Sequence, residues 1–131
     1  MSALVASEVR HAASRAWLGQ QVHAGQIVVA PALLIPEVAA AISRRTGRPA
    51  LGRRAIAALL RFPNLRLVPL DSELAEQAGR LAADCALRGA DAVYVAVAKK
   101  LAIPLVTWDR EQIERGRDVV EVLHPSGGAL P

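Results

Sequence analysis

The sequence predicts an α/β fold in which helices flank a mainly parallel sheet. Short apolar and β-branched runs recur along the chain, and between them lie longer segments whose apolar residues repeat every three to four positions. The length, 131 residues, suits one domain with a core that needs no staples. Residues 1–131 are therefore read as a single domain, with 124–131 (HPSGGALP) as a frayed tail.

The elements follow in order. Residues 7–24 read as a helix with Val9, Ala13, Ala16 and Trp17 on one face, capped by Ser7 and ended by Gly25. Residues 26–30 (QIVVA) have the continuous β-branched look of a strand buried on both faces. Residues 36–45 form a helix that stops near Gly47, and Pro49 opens another with Leu51, Ala55, Ala58, Leu59 and Phe62 on one side. Residues 66–70 (RLVPL) read as a second strand.

Asp71 suits the cap of a helix carrying Leu74, Ala78, Leu81, Ala82 and Cys85, closed by Gly89. Asp91 then opens a helix over 92–101 that is apolar nearly all round, the mark of a buried helix. Strands at 103–108 and 119–123 enclose a short helix over 109–115.

Composition excludes several classes. Hydrophobic residues make up 53% and charged ones 21%, a folded rather than disordered balance. The longest apolar run, 27–35, contains Pro31 and falls far short of the about 20 residues that span a bilayer. The opening residues lack the pattern of a signal peptide, and the single cysteine gives no disulfide framework, so a cytoplasmic protein is expected. No phosphate-binding glycine loop or nucleophile elbow is present. His11, His23 and His124 have no ligand spacing, and four aromatic residues (Trp17, Phe62, Tyr94, Trp108) are too few for a base-stacking platform.

Charge is lopsided. Residues 1–66 hold nine arginines against Glu8 and Glu37, whereas residues 67–131 hold seven basic and ten acidic residues. A basic half suits a polyanion or an acidic partner, and arginine suits bidentate contact with phosphate. A solvated, arginine-rich surface is the plain alternative.

Ligands of parallel α/β sheets sit beyond the carboxyl ends of the strands. Three acids belong there: Glu37 early in the helix after the first readable strand, Asp91 at the start of the buried helix, and Asp109 directly after PLVTW. Oxygen ligands from a few carboxylates suit Mg²⁺ or Mn²⁺, and beside a basic surface they suggest phosphodiester hydrolysis. Each acid also has an ordinary reading: Asp91 and Asp109 as helix caps, Glu37 as a first-turn acid. Asp91 is the least comfortable in that role, because a buried carboxylate needs a partner or a cation.

Three stretches, 28–38 (VVAPALLIPEV), 88–98 (RGADAVYVAVA) and 105–112 (LVTWDREQ), resemble the PIN-domain ribonucleases, specifically VapC-type toxins of toxin–antitoxin pairs. The likeness runs from about Ser2 to Arg115 in matching order. It implies a PIN-like fold and an Mg²⁺- or Mn²⁺-dependent endoribonuclease that leaves 5′-phosphate and 3′-hydroxyl ends. It also implies a homodimer and a cognate antitoxin. Glu37, Asp91 and Asp109 match the family's catalytic and metal-binding acids, and Thr107 matches the hydroxyl residue that orients a carboxylate or a water. Arg44, Arg45, Arg48, Arg53 and Arg54 are the candidate RNA contacts.

There is one departure. The family opens with a central strand ending in an acid, and residues 1–5 here line up just after it. The first, central strand is thus expected to be missing, with a true start upstream and a gap where a fourth acid belongs. Losing that strand favours the rival reading of a catalytically weak module that only binds antitoxin or RNA. A small-molecule hydrolase on a similar sheet is a third reading, with no pocket residue to support it.

Overall fold

The computed structural model describes residues 3–6 and 11–125. Among these the order is β1 (Ala3–Ala6), α1 (His11–His23), β2 (Ile27–Pro31), α2 (Leu34–Thr46), α3 (Pro49–Leu60) and β3 (Leu65–Val68). Then come α4 (Ser72–Cys85), α5 (Gly89–Leu101), β4 (Leu105–Val106), α6 (Arg110–Gly116) and β5 (Val122–Leu123). The strands form one sheet in the order β3-β2-β1-β4-β5, and every neighbouring pair is parallel. The α/β class and the parallel sheet are as the sequence predicts.

The expected loss of the central strand is overturned. β1 lies in the middle of the sheet, paired with β2 through Ala3, Leu4 and Val5 and with β4 through Val5 and Ala6. The physical reason is backbone pairing. Without a strand there, β2 and β4 would carry unpaired N–H and C=O groups along their inner edges. The apolar run Ala3-Leu4-Val5-Ala6 has the composition an interior parallel strand needs. The absent strand therefore no longer supports a purely non-catalytic module.

Smaller differences have local causes. Ala16 is exposed, and the buried face of α1 is Trp17 with Leu18; Ser7, Val9 and the side chain of Ala13 lie outside the described residues. β3 stops at Val68, before Pro69, which has no N–H to give a ladder. β5 is shorter than 119–123 because the N–H groups of Val119 and Val120 turn back to the carbonyl of Gly116. α4 ends not at Gly89 but at Ala86, which takes a left-handed conformation (φ 55°). Gly89 instead begins α5, so Asp91 sits in its first turn rather than at its cap. The tail beyond residue 125 lies outside the described residues.

Other elements form for the reasons read in the sequence. The carboxylate of Asp71 accepts from the backbone N–H of Leu74 at 2.8 Å and starts α4, whose inner face is Leu74, Ala78 and Leu81. Residues 92–98 of α5 are all buried, packed between the sheet and α4. No described helix is long and apolar enough to cross a membrane.

α2 and α3 form a helical hairpin, turned at Gly47 in the left-handed region (φ 67°). Gly52 of α3 is buried against α2, where an added Cβ would stand 2.8 Å from the carbonyl oxygen of Ala39. Glycine to alanine normally stabilises an exposed helix by about 1 kcal/mol. Here the neighbour is backbone, so Gly52→Ala should instead destabilise the chain by about 1–3 kcal/mol in chemical denaturation. A gain in stability would mean the two helices are not in close contact.

Candidate functional site

The parallel sheet sets the location. β2 leads into α2 and β4 into α6, so the first turns of both helices lie at the carboxyl edge. α5 runs back to feed β4 at the opposite edge, which brings its own amino end to the same rim. Glu37 is in the first turn of α2, Asp91 in the first turn of α5, and Asp109 is the cap of α6.

Asp91 is half-buried, and its carboxyl is held above the ordinary aspartate value of 3.8. Burial is the largest cause, followed by repulsion from Asp109; Glu37 and Glu111 add to it. Arg88 acts in the other direction. The capping role open to Asp91 in the sequence is not realised: the cap of α5 is Arg88, and no side chain caps the helix there. Its burial is therefore not compensated by a structural hydrogen bond of that kind.

Asp109 does cap its helix. Its Oδ1 accepts from the backbone N–H groups of Glu111 (2.8 Å) and Gln112 (3.3 Å). Capping and ion binding are compatible, because a carboxylate has two oxygens and several acceptor positions. Thr107 is fully buried, and its hydroxyl accepts from the N–H of Asp109 at 3.0 Å, fixing the turn out of β4.

Glu37 is exposed, but its Oε1 accepts a 2.5 Å hydrogen bond from the hydroxyl of buried Tyr94 on α5. Burial, and then the same contact, push the tyrosine hydroxyl far above its usual value, so it stays a donor.

Two further residues join this edge. Gln112 is buried and donates from Nε2 to the carbonyl of Asp91 at 3.2 Å, bridging α6 to α5. Glu111 pairs with Arg88 at 3.1 Å and with Arg115, and Arg115 donates to the carbonyl of Ala86 at 2.5 Å. In the sequence both read as ordinary members of a short helix; their partners on α5 and at its cap, Asp91 and Arg88, lie more than 20 positions away, where no periodicity reports them.

The three predicted acids are thus on one rim, near enough for Glu37 and Asp109 to raise Asp91. Among the described residues, however, no three His, Cys, Asp or Glu side chains stand together as a ready-made metal cage. The donor set fits a hard divalent ion in chemistry: carboxylate oxygens, one of them disfavoured as a charge despite Arg88. The candidate arginines lie on the hairpin: Arg44 and Arg45 end α2, Arg48 precedes α3, and Arg53 and Arg54 follow on α3, all exposed. Cys85 is half-buried on the inner side of α4.

Asp91 titrates higher in the fold than in the open chain, so the folded state binds its proton more tightly. Its contribution to stability is therefore unfavourable above the folded value and disappears as pH falls to 3.8. Asp91→Asn should raise the melting temperature of the metal-free protein at pH 7, and the gain should vanish near pH 3.8. An equal or lower melting temperature at pH 7 would mean that the charge is already neutralised.

A family model described as PIN domain matches residues 1–118. No curated protein matches the chain. Among solved structures the chain is similar to PAE2754 from Pyrobaculum aerophilum, at 22% identity over 96% of this chain and 92% of that one, with a TM-score of 0.66. It is similar to VapBC-1 from nontypeable Haemophilus influenzae at 13% identity, over 96% and 99% of the two chains, with a TM-score of 0.67. VapBC2 from Rickettsia felis, a structure with a DNA fragment from their promoter, is 10% identical over 93% and 98%, with a TM-score of 0.66. At these identities the likeness to the solved structures is one of fold.

Proposed function

The chain belongs to the PIN-domain family, whose members are generally nucleases, and we propose that it is a metal-dependent endoribonuclease toxin neutralised by a protein antitoxin. The observation that carries the reading is the state of Asp91, a half-buried carboxylate opposed by three neighbouring acids at the carboxyl rim of the sheet. Such a charge asks for a proton or a cation. Asp91, Asp109 and Glu37 would hold Mg²⁺ or Mn²⁺. That ion, when bound, supplies an activated water and offsets charge on the scissile phosphate.

The chain's own residues do the rest. Thr107 holds the turn that presents Asp109, and Tyr94 and Gln112 hold Glu37 and the backbone of Asp91. Arg44, Arg45, Arg48, Arg53 and Arg54 contact the phosphates of a bound RNA. The similarity to toxin–antitoxin complexes supports an antitoxin as the protein partner. In this reading the toxin acts in the cytoplasm as a homodimer.

Purified protein should cut RNA with Mn²⁺ or Mg²⁺ and stop when EDTA is added. Asp91→Asn should lower the rate by at least about 100-fold, the scale of losing a group that stabilises the transition state. Its unchanged circular dichroism would exclude unfolding as the cause. An Asp91→Asn protein that cuts at the native rate would remove the site assignment.

Binding of single-stranded RNA should weaken with salt. Replacing Arg44 and Arg45 together by alanine should flatten the slope of log K against log[salt] by roughly 1.4 if each contacts one phosphate. An unchanged slope would place the RNA elsewhere on the surface.

A further inference from the structure

The acids at the rim are carried by two different parts of the fold. Asp91 and Asp109 stand on α5 and at the start of α6, beside the central strands. Glu37 stands on α2, whose main packing partner is α3, so it belongs to the hairpin. An exposed glutamate on such an element has several free torsions, and holding it in one place costs side-chain entropy. The sequence position of Glu37 alone does not aim its carboxylate at the other two acids.

Tyr94 supplies the aim. It lies three residues after Asp91 on α5, so both side chains belong to neighbouring turns of one helical face. Its ring is 2% exposed, which leaves the hydroxyl no freedom to wander. That hydroxyl crosses from α5 to α2 and takes one oxygen of Glu37 at 2.5 Å. A phenol has one proton to donate, so it engages one carboxylate oxygen and leaves the other to a further partner.

We propose that Tyr94 is a positioning residue that anchors Glu37 across the boundary between α5 and the helical hairpin, so that its second oxygen would be available to a cation held with Asp91 and Asp109. This rests on the reading of Glu37 as an ion ligand. The competing view is that Glu37 merely satisfies a buried hydroxyl. The two differ in what happens to ion binding when the hydroxyl is removed.

Tyr94→Phe keeps the ring and its packing, and Glu37, being exposed, can take water in place of the phenol. Mn²⁺ binding to the RNA-free protein, measured by calorimetry, should weaken about 10-fold, the lower end of the effect of residues that orient metal ligands. The melting temperature without metal should stay within a few degrees of the native protein. At saturating Mn²⁺ the cutting rate of Tyr94→Phe should return to within about twofold of native, while Asp91→Asn should not recover. In a Glu37→Ala background, Tyr94→Phe should have no further effect on Mn²⁺ affinity, because nothing is left to hold.

Native Mn²⁺ affinity in Tyr94→Phe, beside lost affinity in Asp91→Asn, would overturn this proposal and leave the nuclease reading standing. Additive losses in the double variant would overturn it too, by showing that Tyr94 acts independently of Glu37. A native protein that binds no Mn²⁺ would overturn the ion-site reading and this proposal together.

Discussion

α5 has almost no solvent side, and this constraint governs the whole carboxyl rim. Residues 92–98 are buried in succession, so the helix has to run through the interior between the sheet and α4. Its first turn is where that interior meets water, and Asp91 is the charge placed there. A helix amino end favours an acid by about 0.3–1 kcal/mol. Burial, and then repulsion from Asp109, Glu37 and Glu111, outweigh that preference and the pull of Arg88, because the carboxyl is raised and not lowered. The fold thus keeps an acid where its own charge is disfavoured, and a structural role as a cap does not account for it.

α6 is fitted to this rim from its other side. Asp109 starts the helix through two backbone N–H groups, and Gln112 one turn later reaches the carbonyl of Asp91. Glu111 points back to Arg88 and Arg115, and Arg115 reaches the carbonyl of Ala86 in the turn between α4 and α5. Exposed ion pairs contribute only about 0–1 kcal/mol each. Their effect is geometric: a seven-residue helix, too short to be stable alone, is held in register with the start of α5. The buried glutamine adds a fixed point to this register, since its side-chain amide ties α6 to the carbonyl of Asp91 on α5.

Much of this was legible in the sequence wherever a pattern is local. The Asp71 cap and the Leu74-Ala78-Leu81 stripe specify α4 within one turn of themselves, and an all-apolar helix announces its own burial. That Glu37, Asp91 and Asp109 share an edge is readable because alternation of strand and helix fixes which ends lie together. β1 was not legible: a four-residue run of small apolar side chains shows no alternation, and its strand state is imposed by β2 and β4 on either side. Ala86 was missed because a glycine three residues later is the better candidate for a left-handed turn by intrinsic preference. Tyr94 reads as one more core residue of α5, since its partner is 57 positions away on another helix. Gly52 likewise looks like a flaw in a helix until α2 is placed against it.

The uneven charge of the two halves acquires a spatial meaning from the same topology. Five of the nine arginines of the basic half, Arg44, Arg45, Arg48, Arg53 and Arg54, lie on the surface of the hairpin, and the acidic half supplies Asp91, Asp109 and Glu111. Glu37 is the acid of the basic half, and it is the one tied across to α5. Along α2 the rise from Glu37 to Arg44 and Arg45 is about 10–12 Å, a few nucleotide steps of a single strand. A polyanion drawn to the arginines would therefore have to bring its phosphates up to a cluster of carboxylates that repel them. In the proposed function, a divalent ion held by these carboxylates would remove that conflict and would also relieve the charge on Asp91. One cation would thus reconcile two features that oppose each other without it, and this is the physical ground for proposing the acidic rim and the basic hairpin as parts of one site.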